Sequence, residues 1–254
     1  MLQEKVSIMP QVPELSVVIP AYNEARHIPL TLQAIEDYAS SRNLTHEIMV
    51  VDDGSRDDTA QVTRSLTGQF PGLKIVCNGV NRGKGFSVRR GMLEASGNLV
   101  LMYDADQSTP IEELDKLLPF FKAGTTDIAI GSRALKDSQI EVHQPFYREP
   151  LGFVFNDLIQ LLVIRGIKDT QCGFKLFRQE AARDVFARAT IDGFAFDVEA
   201  LLIAQKLNYR IAEVPIRWRN DANTSIRLFR HGSRMVTDLF RIRWNSMRGK
   251  YNAA

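Results

Sequence analysis

The first half of the chain repeats one pattern: a short apolar run, then turn residues, then an amphipathic stretch. LSVVIP (15–20), EIMVVDD (47–53), LKIVCN (73–78), NLVLMY (98–103) and TDIAIGS (126–132) have the length and β-branched content of buried strands. Helical patterns lie between them, around 30–38, up to about 66, at 86–95 and at 111–121. Such alternation predicts an α/β fold with a doubly wound, mostly parallel sheet and flanking helices. Ligands of these sheets collect beyond the carboxyl ends of the strands. Those ends are therefore where chemistry is to be sought.

Acids, small turn residues and one arginine gather there. The first strand runs into Pro20-Ala21-Tyr22-Asn23-Glu24, the second into Asp52-Asp53-Gly54-Ser55, the fourth into Asp104-Ala105-Asp106 and the fifth into Gly131-Ser132-Arg133. If the extended backbone persists past Tyr103, Asp104 and Asp106 project to one side. Two carboxylates that close repel each other unless a positive charge sits between them, and hard divalent cations prefer oxygen ligands. A nucleotide with a metal-bridged diphosphate suits this edge, with Glu24 or Asp53 toward base or ribose and Asp104 and Asp106 toward the metal. Ser108-Thr109-Pro110 also reads as a helix start that the same aspartates could cap. NRGKG (81–85) lacks phosphate-loop spacing. Lys84 is a candidate for a nucleotide phosphate, and a glycine-rich turn opening a helix accounts for the same residues.

SVVIPAYNE, VVDDGSRDDT, NRGKG and YDAD, in this order and spacing, resemble the opening motifs of the family 2 glycosyltransferases of the GT-A fold. The likeness covers roughly residues 14–220. It implies an N-terminal tail at 1–13, a GT-A domain at 14–220 and a basic amphipathic helix at 221–254. It also implies that the loop after the first strand (Pro20, Tyr22, Glu24), Asp53, Lys84 and Ala105 bind the nucleotide, and that Asp104 and Asp106 hold Mg²⁺ or Mn²⁺. In the second half GSR (131–133), YREPLGFVFN (147–156), DTQCGFKLF (169–177) and FDVEAL (196–201) resemble the dolichyl-phosphate β-glucosyltransferases of that family. The resemblance implies UDP-glucose as donor and a dolichyl or polyprenyl phosphate as acceptor. Arg133 and Arg148 then face the acceptor phosphate, and Asp169 acts near the sugar as a base or a hydroxyl clamp. Asp197 and Glu199 are candidate sugar contacts that serve equally as a helix start. Mannosyl relatives usually carry glutamine two places after the second aspartate, where this chain has Ser108. Alternatives are a family 2 transferase using GDP-mannose or a soluble acceptor, and a non-catalytic nucleotide-sugar-binding protein.

The net charge of +2 conceals an uneven distribution: residues 222–254 carry seven basic residues and one acid, Asp238, leaving −4 on the remainder. Ser225–Gly249 reads as a helix. Leu228, Met235, Val236, Leu239, Phe240 and Ile242 fall on one broad face, and Arg227, Arg230, Arg234, Arg241 and Arg248 on the other, with Arg243 the exception on the apolar face. A helix of this kind can lie on an anionic membrane surface through residues 226–250, or can pack on the domain with a solvated basic face. No recognition motif for nucleic acid accompanies the charge. The first dozen residues lack an apolar signal core, and 151–167 is too polar to span a bilayer. The two cysteines, Cys77 and Cys172, stand in no metal-ligand spacing and are expected to be free thiols. The expected place of action is the cytosolic face of a membrane, with peripheral attachment.

Overall fold

The structure is a computed structural model that describes residues 12–142, 148–219 and 228–252, with the backbone alone described at 142, 148–154 and 228–233. Its centre is a seven-stranded sheet in the order β3-β2-β1-β4-β7-β5-β8. The strands are β1 (Leu15–Ala21), β2 (His46–Asp52), β3 (Leu73–Cys77), β4 (Leu99–Tyr103), β5 (Ile128–Ser132), β7 (Phe174–Arg178) and β8 (Ile211–Pro215). Every pairing is parallel except those of β7, which runs antiparallel to both β4 and β5. A small second sheet pairs β6 (Gln139–Val142) with β9 (Arg217–Arg219). The doubly wound expectation holds, and the insertion of β7 between β4 and β5 is what apolar periodicity alone does not supply.

Both faces of the sheet are covered, so successive strand residues enter opposite cores. Val17, Ile19, Val50 and Leu101 pack with α1 (Ile28–Ser41) and α4 (Leu114–Lys122). Val18, Met49, Val51, Val100 and Met102 pack with α3 (Lys84–Glu94), α6 (Gln179–Arg188) and α7 (Phe196–Lys206). Two further helices are α2 (Thr59–Leu66) and α5 (Arg148–Leu162). The last helix, α8 (Leu228–Met247), joins the second core through Leu239 and Ile242, both fully buried. It packs on the domain, as the second of the two readings of the basic tail requires.

At the amino ends of the central strands Glu47 is almost entirely buried. It accepts hydrogen bonds from Ser16 Oγ (2.5 Å), Ser96 N (2.7 Å), Ser96 Oγ (2.8 Å) and Lys74 Nζ (2.7 Å). Burial alone would raise its pKa. Lys74, Ser16 and Ser96 outweigh that and bring it from an ordinary 4.5 down to about 2. A depressed carboxyl stabilises the fold above its unfolded pKa and loses that contribution as pH falls through the folded one. The increment is on the order of 3 kcal/mol. Glu47→Gln is therefore expected to be less stable near neutrality. In denaturant midpoints from about pH 6 to about pH 3, the gap between wild type and variant should narrow by about half, closing only as pH falls through about 2. A gap independent of pH would contradict this assignment.

Candidate active site

The carboxyl ends of β1, β2 and β4 open into a cleft of ≈ 970 Å³ lined by Pro20–Glu24, Asp53, Lys84 and Asp104–Asp106. All the expected nucleotide and metal residues therefore share one cavity. The motifs brace one another. Ser55 Oγ accepts from Asn23 N (2.9 Å), Thr59 Oγ1 from Glu24 N (2.8 Å) and Asp57 Oδ2 from Ala25 N (3.2 Å), so the second motif holds the loop of the first. Asp53 is buried and fixes the third: Oδ1 accepts from Asn78 Nδ2 and Arg82 N, each at 2.9 Å, and Oδ2 from Gly83 N at 2.8 Å. Its position on the cleft wall fits nucleotide contact, and its bonds show a second task, shaping the 81–83 turn.

The glycines of NRGKG answer to packing. Gly83 has φ 110°, and a Cβ there would lie 2.3 Å from the Asp192 carbonyl oxygen. A Cβ on Gly85 would lie 2.4 Å from the Ile191 carbonyl oxygen. Only glycine lets the start of α3 rest directly on the 191–193 loop. Lys84 then projects into the cleft and donates to Asp104 Oδ1 at 2.7 Å. Burial disfavours its charge, but Asp104 and Asp197 hold the amine above its ordinary pKa.

The aspartate pair is assembled differently from the extended-chain picture. The strand stops at Tyr103, and a turn follows in which Gln107 N donates to the Asp104 carbonyl (3.4 Å) and Ser108 N to Asp106 Oδ1 (2.9 Å). Gln107 has φ 53°, and its amide donates to Thr31 Oγ1 (3.2 Å), away from the pair. The turn brings both carboxylates to the cleft. Asp106 has a raised pKa, first from burial and then from Asp104. Glu24 is likewise raised, by burial and by both aspartates, against the opposing effect of His27 at 2.6 Å. This crowding of negative charge suits a hard divalent ion. Among the described residues no cluster of three or more His, Cys, Asp or Glu side chains could hold an ion by itself. Two carboxylates plus phosphate oxygens and water is the ligand set that Mg²⁺ commonly takes.

Asp104 owes its place to Gly173, just before β7. A Cβ on Gly173 would lie 1.9 Å from Asp104 Oδ2 and 2.3 Å from Cγ. On this side a small cavity is lined by Tyr103, Asp104, Ser108, Thr109, Gly173 and Trp218. Arg133, at the end of β5, lies over the Trp218 ring at 5.3 Å. Asp104 thus borders both the large cleft and the space beside Trp218.

Arg133 and Asp169 form a bidentate pair, Nε to Oδ2 at 2.7 Å and Nη2 to Oδ1 at 2.9 Å, with Arg133 N adding a third bond at 2.9 Å. Asp169 is buried. Burial would raise its pKa, and Arg133 more than reverses this. A carboxylate so held is a weak base, and its evident work is to orient Arg133. Asp197 is buried against Lys175, and Glu199 accepts from Thr190, Ile191 and Tyr251, so both serve the interior. Arg148 begins α5, and its side chain lies outside the described residues, as do residues 220–227. The sequence reading missed Gly173 and the contribution of α8, whose Arg234, Met235, Thr237, Asp238 and Arg241 also line the large cleft.

Residues 16–186 match the model of glycosyl transferase family 2. A dolichyl-phosphate beta-glucosyltransferase of Dictyostelium discoideum is 37% identical over 246 residues, spanning 92% of this chain and 75% of that protein. The proteins of that name from Homo sapiens and Saccharomyces cerevisiae are 34% and 35% identical over 254 residues, covering 94% and 93% of this chain and 77% and 76% of theirs. Among solved structures, glucosyl-3-phosphoglycerate synthase of Mycobacterium tuberculosis, in complex with Mn²⁺ and UDP-glucose, superposes with a TM-score of 0.65 at 20% identity, covering 91% of this chain and 79% of that one. Mannosyl-3-phosphoglycerate synthase of Rubrobacter xylanophilus gives 0.65 at 21%, with 95% and 76% covered. These two are likenesses of fold. The motifs, the shared cleft and the family match agree: the chain belongs to glycosyl transferase family 2 and is a glycosyltransferase of GT-A fold.

Proposed function

We propose that this protein transfers glucose from UDP-glucose to a dolichyl or polyprenyl phosphate, inverting the anomeric centre to give a β-linked lipid-phosphate sugar. The observation that carries the reading is the position of Asp104, between the large cleft and the side that presents Arg133. The names of the curated relatives supply the substrate class. Pro20, Tyr22, Glu24, Asp53 and Ala105 hold the nucleotide, and Lys84 reaches its phosphates. Asp104 and Asp106 would hold Mg²⁺ or Mn²⁺, which supplies positive charge to the departing diphosphate. Arg133 and Arg148 position the acceptor phosphate. A phosphate monoester has a second pKa of about 6, so at neutral pH its oxygen attacks without a general base. That agrees with an Asp169 committed to Arg133. Attack on the face opposite the diphosphate turns an α-linked donor into a β-linked product. The domain assignment that goes with this reading is a catalytic body at 14–220 and a basic helical segment at 221–254.

The test is phase partition. Protein, Mg²⁺ and a polyprenyl phosphate are mixed with labelled UDP-glucose, GDP-mannose or other donors in turn. Label entering the organic phase from UDP-glucose is expected. Transfer from GDP-mannose alone would replace the sugar, and transfer only to soluble acceptors would remove the lipid.

Contact with the membrane at its cytosolic face goes with a lipid acceptor. Among the described residues no helix is long and apolar enough to cross a bilayer. On α8, Phe240, Trp244 and Met247 are spaced by four and three and are 57%, 53% and 61% exposed, and Arg248 lies 4.6 Å from the Trp244 ring. This outward apolar stripe, distinct from the buried Leu239 and Ile242, is the face offered to anionic lipid. Phe240→Ser and Trp244→Ser should each weaken sedimentation with phosphatidylserine-containing vesicles by about ten-fold. Unchanged sedimentation would remove α8 as the contact.

A further inference from the structure

We propose that α8 is part of the donor site, with Arg234 and Arg241 binding the diphosphate of the nucleotide sugar. The inference rests on the nucleotide reading of the large cleft and extends it to a helix outside the 16–186 family match.

Three observations carry it. First, Arg234 and Arg241 line the same cavity as Pro20–Glu24, Lys84 and Asp104–Asp106, whereas the Arg133–Asp169 pair does not. An anion bound there is therefore the donor's. Second, two of the three other cations of the cleft already have partners, while Arg56 bonds only through its backbone N–H among the described residues. Lys84 is paired with Asp104 at 2.7 Å, and Arg82 is stacked over Phe86 at 3.8 Å. Among the described residues the side chains of Arg234 and Arg241 have no hydrogen bond or ion pair; both act electrostatically on Asp238 of the same helix, and their guanidinium forks are open to a ligand. Without α8, five carboxylates line this cleft against Arg56, Arg82 and Lys84; the helix adds Arg234 and Arg241 along with one more acid, Asp238. Third, the helix is fixed where it stands. Leu239 and Ile242 are fully buried. Asn245 donates to Thr190 Oγ1 (3.3 Å) and Tyr251 Oη (3.2 Å), and Tyr251 donates to Glu199 (2.6 Å). A Cβ on Gly193 would lie 3.3 Å from Asp238 Oδ2, so α8 rests directly on the loop that also abuts α3. Guanidiniums on a seated helix bind a diphosphate at less ordering cost than those on a free tail.

The experiment measures UDP and uridine affinities by calorimetry in Mg²⁺, for wild type, Arg234→Gln, Arg241→Gln, the double variant and Arg243→Gln. Arg243 is exposed on the same helix and does not line the cleft. Each cleft variant should weaken UDP by about ten-fold and leave uridine unchanged, with Arg243→Gln like wild type. The Michaelis constant for polyprenyl phosphate should stay put. UDP affinity unchanged in the double variant would overturn the proposal. So would a rise in the lipid Michaelis constant with UDP affinity intact, which would give the arginines to the acceptor, or an equal loss in Arg243→Gln, which would show a general field effect. Thermal melting of each variant separates these outcomes from misfolding. A wild-type protein that binds no UDP would instead sink the nucleotide reading itself.

Discussion

Replacing Asp104 with asparagine is expected to lower kcat for sugar transfer by roughly 10³-fold while leaving the fold intact. The substitution keeps shape and removes one charge. Asp104 is partly exposed at the end of β4, so little packing is lost. On the proposed reading the variant loses one of the two carboxylates that would hold the cation, and with it stabilisation of the leaving diphosphate worth several kcal/mol. A second effect opposes the first. Lys84 loses its 2.7 Å partner and becomes free for a phosphate oxygen. The two are separable, because Lys84 would act on binding and the metal on the transition state. UDP should still bind in the variant without metal, while turnover collapses and no longer responds to Mg²⁺. Turnover within ten-fold of wild type, still responsive to Mg²⁺, would show that Asp104 does not hold the ion.

The next largest effect is expected at a residue with no functional group. Gly173→Ala would set a methyl 1.9 Å from Asp104 Oδ2 and 2.7 Å from Oδ1, far inside van der Waals contact. Either the carboxylate swings away or the entry to β7 shifts, and β7 pairs with both β4 and β5. Movement of about 1 Å at a catalytic group can cost about 100-fold, whereas overpacking of this size costs the fold only about 1–3 kcal/mol. Turnover and Mn²⁺ affinity should therefore drop together by about that factor, with a cooperative melt retained. If Gly173 acts only through Asp104, combining Gly173→Ala with Asp104→Asn should be scarcely worse than Asp104→Asn alone. Fully additive losses would mean that Gly173 serves β7 and not the carboxylate.

These two residues also mark how far the sequence could be read. Asp104 was legible because an apolar run ending in two acids is a local pattern, although the turn at Gln107, not an extended chain, brings the pair together. Gly173 was not legible: its partner lies sixty-nine positions earlier, and only the placement of β7 beside β4 brings them together. The same holds for Arg133 and Asp169, each named as a candidate, the second as a base or a hydroxyl clamp; their mutual pairing across thirty-six positions is visible only in the fold. For α8 the helical period gave the correct element and an incomplete account of its faces. Phe240 and Ile242 fall on one broad arc of a wheel, yet Ile242 is buried and Phe240 exposed. A wheel gives angles within the helix and not the direction of the domain. The basic charge was visible from the start, and only the fold shows that Arg234 and Arg241 turn toward a cleft.

Asp104 and Asp106 are expected to complete a metal site only together with a nucleotide diphosphate. This is tested most directly by measuring UDP affinity at saturating Mn²⁺ and in excess chelator, for wild type and Asp106→Asn. Two carboxylates without a third protein ligand should bind Mn²⁺ weakly alone and tighten UDP by at least about ten-fold when both are present, a gain lost in Asp106→Asn. UDP affinity indifferent to Mn²⁺, or a gain that survives in Asp106→Asn, would contradict it.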